Sequence, residues 1–210
     1  MFYWKNNSTV LKPFSGVVLL TVLGLTLASC SRDREVRSHF FAFDSLITEQ
    51  VRYLSHTKAR LIKNASLRER TDSITIESPD SAGWSKELGI FLQLDVINKT
   101  IYRDKYTVHD GRDPKSNLMI RYFDARGEKN EILPVSSLRI YYHGNFNNIK
   151  RIEGTYREEN SLYESSQFLS LDLQDIHNKT VLTSYSIKGD QKMILTDSLE
   201  FSIDARIIVN

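Results

Sequence analysis

The residues best suited to acid–base chemistry are His109, Asp110, Arg112 and Asp113, in the run His109-Asp110-Gly111-Arg112-Asp113-Pro114. A carboxylate beside an imidazole can orient it for proton transfer. Asp-Gly and Asp-Pro are also turn dipeptides, and the run is read as a loop without a kinetic role. The remaining histidines, His39, His56, His143 and His177, stand far apart in sequence, and Cys30 is the only thiol. No His-x-x-x-His or Glu-paired spacing exists, so no metal is expected. A Gly-x-Ser-x-Gly elbow, a phosphate-cradling glycine loop and a dinucleotide Gly-x-Gly pair are all missing. No catalytic residue and no cofactor is therefore assigned, and the chain is expected not to be an enzyme.

The one residue whose setting does suggest chemistry is Cys30. It follows a polar start carrying Lys5 and Lys12 and an uncharged run, Val17 to Ala28, of 12 residues. That layout is a signal peptide's, and the run is too short for the roughly 20 apolar residues of a membrane-spanning helix. The four residues Leu27-Ala28-Ser29-Cys30 resemble the lipobox of bacterial lipoproteins. The resemblance implies cleavage after Ser29, a diacylglyceryl group on the Cys30 thiol and acylation of the freed amine. Several acyl chains, at about 0.8 kcal/mol per buried CH₂, make such anchoring effectively permanent. Ser31 in place of Asp implies, by the same resemblance, transfer to the outer membrane.

Cysteine use agrees, since a lone Cys leaves no internal disulfide to form even in an oxidising compartment. Two of the 28 basic residues, Lys5 and Lys12, precede Cys30 and no acid does, so the chain from Cys30 onward carries 26 charges of each sign. A neutral body argues against nucleic-acid binding, which depends on clustered Lys and Arg. Hydrophobic residues make up 40% of the chain and charged ones 26%, which excludes wholesale disorder. The expected organisation is a signal peptide over residues 1–29, a polar tether over 30–39 and a single domain over 40–210. The tether mixes Arg32, Arg34 and Arg37 with Asp33 and Glu35 and has no apolar period to bury.

The elements of that domain follow from periodicity. Asp44 is a candidate cap for a helix with Ile47, Val51 and Leu54 on one stripe, stapled to the core by Phe40, Phe41 and Phe43. Residues 59–77 suggest a hairpin. Asp80 or Ser81 then caps a second helix whose stripe is Trp84, Leu88, Phe91 and Leu92, with Trp84 in the core. From about Asn117 the period becomes two: Leu118/Ile120/Tyr122, Leu138/Ile140/Tyr142, Ile152/Tyr156, Leu169/Leu171/Leu173, Val181/Tyr185/Ile187 and Leu199 to Ile207. The expected fold class is α+β, with two N-terminal helices packed on a strongly twisted antiparallel β-meander or partial barrel of six to seven strands.

The lipobox, Trp84-Ser85-Lys86-Glu87-Leu88, Asp95, Ile97-Asn98-Lys99 and the Tyr-rich strand series together resemble small uncharacterised lipoproteins of Bacteroidota. Asp44-Ser45-Leu46, Asp72-Ser73-Ile74, Asp80-Ser81-Ala82 and Asp197-Ser198-Leu199 look like the Asp-Ser/Thr-apolar glycosylation triplet of that group. The outline is also similar to the half-barrel of lipoprotein-localisation factors, although none of their motifs is present. The resemblance implies a lipid-anchored protein of the outer membrane, facing the periplasm. Three functions are carried from here. The first is a non-catalytic accessory lipoprotein whose β surface docks an envelope protein. The second is a carrier of a lipid or other apolar ligand in the concavity of the sheet, and the third an envelope hydrolase.

Overall fold

The computed structural model describes residues 40–68, 70–126, 133–193 and 197–209. Phe43–His56 form helix α1, Arg60–Leu67 strand β1, Arg70–Ile76 strand β2 and Ser81–Leu88 helix α2. Two 3₁₀ segments follow, Gly89–Asn98 and Thr100–Lys105. The strands after them are β3 (Tyr106–Arg112), β4 (Met119–Ala125), β5 (Val135–Tyr142), β6 (Ile149–Glu159), β7 (Tyr163–Ile176), β8 (Lys179–Met193) and β9 (Leu199–Ile208).

Among the described residues these nine strands form one antiparallel sheet, ordered β2-β1-β9-β8-β7-β6-β5-β4-β3. That overturns the expected two helices on a six-to-seven-stranded meander. The hairpin β1–β2 is part of the sheet because Leu61, Ala65 and Leu67 stand opposite Ile207, Ile203 and Phe201 of β9. Apolar residues thus meet apolar residues across a pairing whose partners lie at opposite ends of the domain. β3 occupies the far edge, and the loop expected over residues 109–114 is instead strand as far as Arg112, with edge-strand charges in place of apolar alternation.

The helical part is also smaller than expected. Asp80 does cap α2, accepting from Gly83 N at 2.7 Å. From Gly89 the chain tightens to 3₁₀, whose three residues per turn bury Phe91, Leu94 and Ile97 and rotate Leu92 out to 42% exposure. In α1 the cap position belongs to Ala42, and Asp44 sits in the first turn with its Oδ1 accepting from Ser45 N. A carboxylate there still complements the helix dipole.

Register places side chains in transverse rows. One face carries Val108, Phe123, Leu138, Gly154, Leu169, Ile187, Ile203 and Ala65 in a single row, and Ile140, Ile152, Leu171, Tyr185 and Ala205 in the next. α1, α2 and the first 3₁₀ segment cover much of this face. Trp84, Leu88, Phe91, Leu94 and Phe43 are fully buried in the shared core. Gly154 is what lets the cover approach, for a Cβ there would lie 2.6 Å from Leu94 Cδ2.

Two polar devices lock the cover down. The buried Gln50 of α1 donates from Nε2 to Thr180 O and accepts from Leu182 N, satisfying β8 backbone close to its register shift against β7. Asn98 accepts from Phe40 N and donates to Phe41 O, holding the aromatic lead-in. Phe41 then meets Phe43 edge-on at 4.7 Å and Phe40 meets Phe123 at 5.8 Å. The opposite face bears no described helix and presents rows such as His109, Tyr122, Arg139, Glu153, Ser170, Ser186, Asp204, Asn64 and Ser73.

Candidate functional site

The helices leave one corner of the apolar face bare. Beyond Tyr185 and Lys63, the next two rows on this face are Ile187–Ile203–Ala65–Asp72 and Gly189–Phe201–Leu67–Arg70. Ala65, Leu67, Arg70, Asp72, Phe201 and Ile203 line an open depression of about 590 Å³. Leu67 is 49% exposed and Ile74, on the same face of β2, 52%. Large apolar side chains at that exposure, gathered on one face, are the kind of patch that marks an interaction site. Gly189 shapes the floor, because a Cβ there would sit 2.7 Å from the Phe201 ring and 2.9 Å from Ser166 O. Without a side chain below it the ring lies down on the sheet.

A charged boundary separates the bare corner from the covered core. Glu87, at the end of α2, accepts from the Tyr185 hydroxyl and from Lys63 Nζ, the latter at 2.5 Å. Burial, and then the Glu87 carboxylate, push the Tyr185 phenol far up from its ordinary value, so it stays a neutral donor. The triad pins α2 to β1 and β8. It contains no nucleophile paired with a free base, since all three polar tips are spent on one another.

The polar face holds two further depressions. One, of about 650 Å³, is lined by residues that include Phe168, Lys188, Asp190 and Glu200; the other, of about 500 Å³, includes Asp172, Ser184, Asp204 and Arg206. Asp172 is engaged by Arg151 at 2.6 Å and by Ser184 Oγ at 3.2 Å. These are cross-strand pairs of a wetted sheet face, and each is worth little alone. Tyr141 donates to Glu153, and burial together with that carboxylate pushes its phenol up to about 12.

His109 and Asp110 do not act together. As neighbours on a strand they point to opposite faces. His109 stacks on Tyr122 at 4.8 Å and lies 3.5 Å from Asp124 on the polar face. Asp110 takes both Nε and Nη2 of Arg121, at 2.8 and 2.9 Å, and this pairing holds its carboxyl below the usual range. Arg121 in turn lies over the Phe146 ring at 3.9 Å. Asp113 caps a turn, accepting from Lys115 N and Ser116 Oγ. Among the described residues no three His, Cys, Asp or Glu are grouped to hold a metal.

Leu27, Ala28, Ser29 and Cys30 lie outside the described residues. The bare corner had no motif to announce it. Its signal was the pair of apolar alternations in β1 and β9, legible singly but not as neighbours. Among the described residues no helix is long and apolar enough to cross a membrane. No protein-family model matches the chain, no curated protein matches its sequence, and no solved structure matches it.

Proposed function

We propose that this chain is a lipid-anchored envelope protein, acylated at Cys30 and held at the periplasmic face of the outer membrane, that docks a protein partner without catalysis. The reading rests on the open depression floored by exposed Leu67 and half-buried Phe201 and Ile203, beside an edge of β2 that no described strand pairs. The occupant is a polypeptide with an apolar face. Small-ligand pockets wrap about 70–90% of their ligand, whereas this corner has a floor and, among the described residues, no opposing wall. An acyl chain laid on it would stay half wet. A folded partner brings the second wall with it. The space that a half-barrel carrier would keep for its ligand is filled by Trp84, Phe91 and Leu94.

Two measurements test the reading separately. Cys30→Ser should move the protein out of the membrane fraction, and its retention there would overturn the anchor. A photo-crosslinking side chain at Leu67 in intact cells should trap one adduct of defined mass, lost on Phe201→Lys, while the same label at Ser170 on the polar face traps none. Equal labelling from both faces would overturn the docking corner. An adduct of twice the chain's own mass would report a second copy and not the partner.

A further inference from the structure

We propose that the free edge of β2 binds a second copy of this chain, antiparallel and two-fold symmetric about Thr71, so that two sheets become one. The inference goes beyond the docking role and does not rest on it. β2 ends the sheet, residues 70–75 are exposed, and it pairs with β1 without a register break. It contains neither Pro nor bulge, two of the devices that blunt an edge.

The backbone sets the phase of any added strand. Leu67 and Arg70 close a two-residue connection, which makes them a pair exchanging both hydrogen bonds. Arg68 N, next along, points the other way and donates to Glu200 O. Alternation then turns the main-chain groups of Arg70, Asp72 and Ile74 toward β1 and those of Thr71, Ser73 and Thr75 outward. A two-fold axis through an outward residue makes that residue bond its own copy, whereas one through Arg70 or Asp72 sets like charges opposite each other and one through Ile74 sets Asp72 opposite Ile76.

Charge chooses among them. Arg70 and Asp72 share a face, carry opposite charges two residues apart, and form no ion pair among the described residues. An axis through Thr71 sets each Arg70 opposite the second copy's Asp72, twice over. An axis through Ser73 sets Asp72 opposite Ile74, and one through Thr75 sets it opposite position 78. Only the first is self-complementary in the sense that an isologous contact requires. The two charge pairs then occupy non-hydrogen-bonded positions, where opposed Cβ atoms are close, at about 4.5–5.5 Å. Both bare corners end on the same side of the joined sheet, extending one apolar floor across the axis.

The test is a disulfide across the axis in intact cells, read on a non-reducing gel. Thr71→Cys places two thiols on Cα atoms about 5.5 Å apart, within disulfide reach. Cys30 is the only native thiol, so the unaltered chain supplies the baseline, and Thr107→Cys on the opposite edge, β3, the control. Thr71→Cys should cross-link about tenfold above both. Adding Arg70→Asp or Asp72→Arg should each lower the yield about tenfold, the effect of replacing two attractive pairs by like-charge pairs. Adding both reversals together should restore it. A Thr71→Cys yield no higher than that of Thr107→Cys, single reversals without effect, or a double reversal that stays low would each overturn the proposal.

Discussion

Leu138, Ile140, Ile152 and Leu169 lie beneath Trp84, Phe91 and Leu94 in a common core, while Leu67, Ile74, Phe201 and Ile203 on the same face have no described element over them. Both regions come from the same apolar–polar alternation. What differs is the length of helical cover. α2 and the 3₁₀ segment run from β1 and β8, where Glu87 meets Lys63 and Tyr185, to β5 and β6. Apolar alternation along a strand therefore reports which side chains share a face and not whether that face is sealed.

The strongest break of the comparison is at the covered end. Trp84 is fully buried, and Trp84→Ala should cost about 3–5 kcal/mol, seen as a lowered midpoint in denaturant unfolding. Wild-type stability in that variant would remove the claim that the covered half holds the fold.

An alkaline limit comes next. The Tyr106 hydroxyl donates to Val135 O, and burial, the larger influence, pushes its ionisation up to about 12. The folded value lies above the ordinary value of about 10, so the folded state holds the proton more tightly. That contribution is fully present below pH 10 and is lost as pH rises from about 10 through 12. A rise from about 10 to about 12 corresponds to on the order of 2–3 kcal/mol, and Tyr106→Phe should flatten the fall in stability across that window. An unchanged alkaline slope would show that Tyr106 does not carry it.

Gly154→Ala should cost about 1–3 kcal/mol, since its Cβ would lie 2.6 Å from Leu94 Cδ2 and force that fully buried side chain to shift within the core. Pairing it with Leu94→Ala should cost less than the two changes summed, because the second change empties the space the first one fills. Additive costs would place the contact elsewhere.

The stretches that alternate strongly, such as Leu169/Leu171/Leu173 and Val181/Tyr185/Ile187, were legible because each residue's environment is set by its own strand. β3 was not, since an edge strand needs no apolar alternation in its outer half and Asp110-Gly111 mimics a turn. The junction of β1 with β9 was not either, because pairing between distant segments leaves no local mark. Leu92 failed for a third reason, a change of helical period within one apolar run. The bare corner depends on the junction of β1 with β9 and on where the helical cover ends, which is why residue types alone did not reveal it.

The smallest expected effect is the one that sharpens the comparison most. Leu67→Ser removes an apolar side chain that is 49% exposed and already half in water, so stability should change by no more than about 0.5 kcal/mol. If the corner is a docking floor, the same change should abolish the adduct trapped from a photo-crosslinker at neighbouring Ala65 while leaving the unfolding curve in place. Fold and binding are then separated on one residue. A loss of several kcal/mol would instead mean that Leu67 is sealed in solution, and that the bare half of the face has a cover of its own.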